Sequence, residues 1–242
     1  RYVGFQIINV LFVSAFAGGM AETIDTIIKP PGAVVDVLGS AIPDTYFFFT
    51  SYIMPKILMP IGDATEALDT FYPYYRLPED DYEVVIAGPE ARLYHTVLHE
   101  IPPNPNVPWD ITQERPGYHL KADIAFHDLN ADDYAGAFIS GGRAPEYIRY
   151  DKDLQRCIRE IAEAGKPIAC ICHGIEILTA ADCIQGKRVT TVPKCAMDAE
   201  QGGATYVDED VVVDGLLVTG RGYAENTMVL KEFIRMLKAV EG

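Results

Sequence analysis

Cysteine is absent before Cys157, and the 242-residue chain holds only five: Cys157, Cys170, Cys172, Cys183 and Cys195. An odd count crowded into one stretch is not a disulfide framework, and it points to a reducing compartment. Basic residues are also scarce. Twenty Lys and Arg stand against 35 Asp and Glu, a net charge of −15 at pH 7. That balance excludes nonspecific binding to nucleic-acid phosphates. Charge of either sign is sparse in residues 1–53, which carry only Arg1, Glu22, Asp25, Lys29, Asp36 and Asp44. Internal repeats and low-complexity tracts are missing, which excludes collagen and coiled coil. The chain as a whole is 49% apolar and 23% charged, the balance of a folded globular protein.

The uncharged stretch runs from Tyr2 to Ala21. About 20 apolar residues span a bilayer as a helix. A signal peptide would need a basic leader and a shorter apolar core, and Gly18-Gly19-Met20 is a poor cleavage site. A buried amphipathic helix would repeat a polar face at helical period, and none repeats. A membrane origin is therefore expected. Phe5-Gln-Ile-Ile-Asn-Val-Leu-Phe-Val13, Ala17-Gly18, Gly39-Ser-Ala-Ile-Pro43 and Phe47-Phe-Phe-Thr-Ser-Tyr-Ile53 resemble part of the seven-transmembrane region of the osmosensitive, stress-gated cation channels. The resemblance ends near Met54. Residues 1–53 are read as an apolar, membrane-like helical appendage joined by gene fusion or by a gene-model join. A fragment of this size makes no pore, so no channel function is assigned to it.

Residues 54–242 alternate β-branched runs with helical periods. Strands are expected at Lys56–Met59, Tyr82–Ala87, Ala135–Ser140 and Pro167–Ile171. Val211–Asp214 and Leu216–Thr219 form an expected hairpin around Gly215. Helices are expected at Glu66–Leu77, Asp151–Ala164, 173–183 and Glu225–Val240. This alternation predicts an α/β domain, a mostly parallel sheet sandwiched by helices. Residues 101–119 contain Pro102, Pro103, Pro105, Pro108 and Pro116, and are read as a surface loop.

Three segments carry chemistry. In Lys166-Pro-Ile-Ala-Cys170-Ile-Cys172-His173-Gly174 an apolar strand stops at Cys172 and a helix follows. This is the pattern of a nucleophile elbow, which thrusts a side chain out at the carboxyl end of a strand. Helix N-terminal N–H groups there favour an anion, so a lowered thiol pKa is expected. A free Cys is more often a small buried hydrophobe, but the strand–Cys–His–Gly–helix context argues for a nucleophile. Cys170 is read as core packing, and Cys157, Cys183 and Cys195 as structural. A Cys-x-Cys-His zinc site lacks a second ligand pair, so no metal is expected. In Ile139-Ser-Gly141-Gly142-Arg143-Ala-Pro-Glu146-Tyr147 two glycines follow a strand, and Gly141 and Gly142 are a candidate oxyanion hole. The alternative is an ordinary turn, although open α/β sheets bind ligands at such strand ends. In Ile61-Gly-Asp-Ala-Thr-Glu66, Glu66 starts a helix at the same edge, where an acid is commonplace.

Together these segments resemble the ThiJ/PfpI superfamily, over about Pro55 to Leu237. The resemblance implies a flavodoxin-like, class I glutamine-amidotransferase-like fold. Carried over residue by residue, it implies that Cys172 is the nucleophile and that Glu66 is the acid hydrogen-bonded to its sulfur. It implies that His173 is the neighbouring histidine, and that the N–H groups of Gly142 and His173 form the oxyanion hole. Gly142-Arg143-Ala-Pro-Glu146-Tyr147 and Glu114-Arg-Pro-Gly-Tyr-His119 are most similar to a plant and bacterial branch with methylglyoxalase or deglycase activity, in which the residue matching Glu146 is implicated. No third triad carboxylate is placed. The expected activity is that of a glutathione-independent glyoxalase or deglycase acting on α-oxoaldehydes or glycated substrates without a cofactor. Two alternatives stand: a PfpI-like cysteine peptidase, and a redox-sensing or chaperone-like protein. A cytoplasmic homo-oligomer (dimer or hexamer) is expected, membrane-associated only if residues 1–53 are retained.

Overall fold

The computed structural model describes residues 54–100 and 113–241, so the apolar appendage expected over 1–53 lies outside the described residues. Among those described, no helix is long and apolar enough to cross a membrane.

A seven-stranded sheet forms the centre. Its strands are β1 (Lys56–Pro60), β3 (Glu83–Gly88), β6 (Ile124–Ala125), β7 (Tyr134–Ile139), β8 (Ile168–Ile171), β11 (Val211–Asp214) and β12 (Leu217–Gly220). Their order is β11-β12-β8-β7-β1-β3-β6. Every pair is parallel except the hairpin β11–β12, which turns at Gly215 with φ of 66°. Helices cover the sheet: α1 (Ala67–Arg76), α2 (Pro145–Ile148), α3 (Lys152–Glu163), α4 (Ile175–Ala180), α5 (Ala196–Gln201) and α6 (Asn226–Glu241). The expected mostly parallel sheet flanked by helices is the observed one.

β7 and β8 carry no charged residue, and β1 none after Lys56, because both faces are covered. Side chains alternate between faces. Ile57, Met59, Phe138, Ala169 and Ile171 enter one core with Val229, Phe233 and Leu237 of α6. Leu58, Ala137, Ile139, Ile168 and Cys170 enter the other with Leu154, Cys157, Ile158 and Ile161 of α3. Phe138 meets Phe233 edge-on at 6.1 Å, and truncating such a ring costs about 3–5 kcal/mol. Asp151 caps α3 by accepting from the N–H groups of Asp153 and Leu154, both at 3.0 Å, and Gly165 ends it with φ of 67°.

Two expectations need correction. The helix expected over 173–183 is a tight turn at Cys172–Gly174 followed by only Ile175–Ala180, which stops where Asp182 turns left-handed with φ of 56°. The loop expected through residue 119 contains β5 (Gln113–Lys121), paired antiparallel with β4 (Leu93–Glu100), a strand the sequence analysis does not place. With β2 (Thr65–Glu66) these make a small sheet in the order β2-β4-β5, and β9 (Arg188–Val189) pairs parallel with β10 (Thr205–Tyr206). Among the described strands β5 lies at the edge of this sheet, where a missing N–H on Pro116 is tolerated.

Candidate active site

β8 delivers Cys172 at its carboxyl end, where the backbone takes φ of 55°. A non-glycine residue in that region costs about 1–3 kcal/mol and persists only where its surroundings hold it. The hold is visible. The Cys172 carbonyl accepts from Thr191 Oγ1 at 2.6 Å. A Cβ on Gly174 would stand 2.8 Å from the Ile139 carbonyl oxygen and 3.0 Å from Cys170 Sγ, so only glycine fits. The turn reverses the side chain: Cys170 packs into the α3 core, whereas Cys172 lies against the other one.

Gly141 and Gly142 let three segments converge on the thiol. A Cβ on Gly141 would stand 2.5 Å from Cys172 Cβ, 2.8 Å from Asp69 Oδ2 and 3.0 Å from the His173 nitrogen. Gly142 has φ of 87°, and a Cβ there would meet the Glu66 nitrogen at 2.3 Å. The N–H groups of Gly142 and His173 both face Cys172 Sγ. The N–H of Gly141 instead donates to Asp69 Oδ2 at 3.2 Å, so Gly141 is not part of a candidate oxyanion hole.

Glu66 lines the cavity with Cys172, but its carboxylate caps α1. Oε2 accepts from the Asp69 N–H at 2.7 Å, and Oε1 from the His99 N–H at 3.5 Å. The hydrogen bond to sulfur that the resemblance implies is replaced by these backbone contacts. Asp69, one turn further along α1, is the carboxyl that packs against Gly141 beside Cys172. It is fully buried, and its Oδ1 has no hydrogen-bond partner. Burial, then the charge of Glu66, raises Asp69 well above the usual carboxylate range. Burial also raises Glu66. Two adjacent buried acids disfavour each other's ionisation, and burial adds to that cost. Sequence analysis missed Asp69, although its i,i+3 spacing from Glu66 places both on one helix face.

Burial, then Asp69 and Glu66, raise the Cys172 thiol, against the pull of the His173 and Gly142 N–H groups. The direction is opposite to the one expected from the helix start, with desolvation the largest cause and the two acids opposing the two amides. His173 Nδ1 lies 3.3 Å from Sγ, and burial lowers that histidine to about 4, so the imidazole is neutral at pH 7. The cavity holds about 420 Å³ and is also lined by His99, Arg143 and Glu146. Glu146 is half-buried and clasped by Arg143, with Nε to Oε1 at 2.5 Å and Nη2 to Oε2 at 3.0 Å.

Residues 55–236 match the DJ-1/PfpI family. The chain belongs to that family. As a DJ-1/PfpI protein it is 32% identical over 183 residues to a deglycase of Pyrococcus abyssi, covering 76% of this chain and 99% of that one. A deglycase of Pyrococcus horikoshii is 33% identical over the same shares. A solved ThiJ/PfpI domain protein from Brachyspira murdochii superposes with a TM-score of 0.65 at 16% identity, covering 76% of this chain and 96% of that one. Residues 1–72 are in addition similar to the 7TM region of a calcium-dependent channel family, a match running past the expected join into β1 and α1.

Among the described residues, the ligand atoms of Glu176, Cys195 and Asp198 lie within 4.8 Å of one another. A cation already holds that place: Arg149 Nη1 is 3.0 Å from Asp198 Oδ1 and 3.5 Å from Glu176 Oε2.

Proposed function

We propose that this protein is a cysteine-dependent deglycase or glutathione-independent glyoxalase acting on α-oxoaldehydes or their adducts. The observation that carries the reading is a thiol on a left-handed elbow, packed beside a buried acid with an unpartnered oxygen and opening on a cavity. The names of the archaeal relatives, which the chain matches over nearly their whole length, support it.

The chemistry starts from a neutral thiol. Sγ adds to the aldehyde carbon of a substrate such as methylglyoxal, and the thiol proton passes to the aldehyde oxygen, giving a hemithioacetal. The N–H groups of Gly142 and His173 face the developing alkoxide. Loss of the C–H proton and its delivery to the neighbouring carbon turn the adduct into an enediol and then a thioester. The buried acids Glu66 and Asp69, both raised above the usual carboxylate range, accept and return it. Water then cleaves the C–S bond and releases a hydroxy acid. No step needs a redox cofactor.

The Cys172–His173 contact also suits acyl transfer by a peptidase. A histidine that titrates near 4 does not rest as the imidazolium partner of a thiolate, which favours carbonyl chemistry. One panel separates the readings: methylglyoxal loss, lactate formation, release of a glycated amine, and peptide hydrolysis by the full chain. Lactate or amine release, lost in Cys172→Ser, is expected. Peptide hydrolysis alone would overturn the proposal.

A further inference from the structure

The β4–β5 hairpin brings a second histidine to the cavity, and the thiol chemistry above does not use it. His99 lines the same cavity as Cys172. Its side chain is only 10% exposed, and Nε2 stands 3.1 Å from Glu114 Oε2. A carboxylate only accepts, so Nε2 carries the hydrogen, and in the neutral ring the lone pair lies on Nδ1. The contact of the His99 backbone N–H with Glu66 Oε1 ties the hairpin to the acid pair. Arg143 Nη1, 3.8 Å from the same Glu114 oxygen, joins the dyad to the cavity rim.

Strand register makes this pair. At its first residues β4 faces β5 as Leu93 to Lys121 and His95 to His119; beyond a one-residue shift, Val97 faces Pro116 and His99 faces Glu114. Had the first register continued, Arg115 would stand opposite His99, and a guanidinium cannot orient an imidazole as a base. Gly117 permits the shift: a Cβ there would meet Thr96 Oγ1 at 2.4 Å and the Thr96 carbonyl carbon at 3.1 Å. Such bulges re-aim side chains next to active sites.

We infer that His99 is a catalytic residue for the hydrolytic half of the reaction, and that Glu114 is its positioning residue. His99 takes a proton from the water that attacks the thioester carbonyl on Cys172. As the water oxygen bonds to carbon, the C–S bond breaks, the proton passes to the leaving sulfur, and the hydroxy acid departs with no change of oxidation state. His173 is less suited to this task, since its Nδ1 already contacts Sγ. The inference rests on the proposed carbonyl chemistry.

The test is acyl-enzyme trapping with methylglyoxal in wild type, His99→Gln and Glu114→Gln. Steady-state lactate formation by His99→Gln should fall by about 10²–10⁴-fold. A lactoyl adduct on Cys172 should accumulate, survive dilution and be cleaved by hydroxylamine, which also restores turnover of the enzyme. Glu114→Gln should show the same adduct with a smaller loss, which keeps the test decisive if His99→Gln misfolds. Wild-type turnover in both variants, or loss of turnover with no adduct, would overturn the role of His99 alone. A wild-type protein that neither consumes methylglyoxal nor forms an adduct would overturn it together with the proposed function.

Discussion

Two regions of this molecule place a cysteine beside two acids, and they solve the electrostatics differently. Around Cys195, the carboxylates of Glu176 and Asp198 share Arg149, and the Cys195 thiol donates to Glu176 Oε1 at 3.6 Å. Around Cys172, the charges facing Asp69 are Glu66 and Glu225, both negative. A buried charge with its counter-ion is a structural solution. A buried acid facing other acids keeps a proton and stays ready to give it up, and perturbed groups of that kind cluster where chemistry happens. A cysteine with nearby carboxylates is therefore not enough to mark a site. The missing counter-ion and the positive φ of Cys172 separate the two regions.

The largest expected contrast is between the two thiols. Cys172→Ser should lower turnover by about 10⁴-fold or more, the scale of losing a nucleophile, whereas Cys195→Ser should stay within about threefold. Comparable losses in both variants would erase the distinction. A smaller effect, about 10²-fold or more, is expected for Glu66→Gln, which keeps an acceptor for the α1 cap but cannot share a proton. Iodoacetamide labelling of Cys172 should persist in that variant, and wild-type turnover would remove Glu66 from the proton path.

On the other side of the comparison, Arg149→Met should leave turnover nearly intact and destabilise the fold by about 3 kcal/mol by stranding Glu176 and Asp198. Chemical denaturation checks this, and an unchanged midpoint would show that the ion pairs are idle. The smallest effect is expected from removing residues 1–53. Turnover of 54–242 should match the full chain within about twofold, a margin worth only about 0.4 kcal/mol. An insoluble fragment beside an active full chain would attach that segment to the fold.

The sheet and the elbow were legible because they rest on local pattern. Runs such as Ile168–Ile171 are apolar at every position, and a strand that breaks at Cys-His-Gly announces a tight turn. Asp69 was not legible as a site residue. At i,i+3 from Glu66 it reads like a surface acid of α1, and its partner Gly141 lies 72 residues away in the chain. The β4–β5 hairpin was hidden by Pro116 and by the half-exposed pattern of Leu93–Glu100. The His99–Glu114 pair depends on a one-residue register shift that composition does not encode. The direction expected for the thiol pKa weighs the helix start without desolvation and the buried acids, which only the fold brings together.

The measurement closest to the central claim is made on Asp69→Asn in the full chain, scoring methylglyoxal turnover and Cys172 alkylation on the same sample. Asparagine keeps the size of the side chain and an acceptor for the Gly141 N–H, but it cannot lend or take a proton. Stability should also rise relative to wild type as pH increases above about 4. The unfolded wild-type chain ionises there, while the native state must keep Asp69 protonated until its raised pKa is reached. The account predicts a turnover loss of about 10²–10⁴-fold with alkylation within about threefold of wild type. Turnover at the wild-type rate would contradict it, because the proton beside the thiol would then have no part in the reaction.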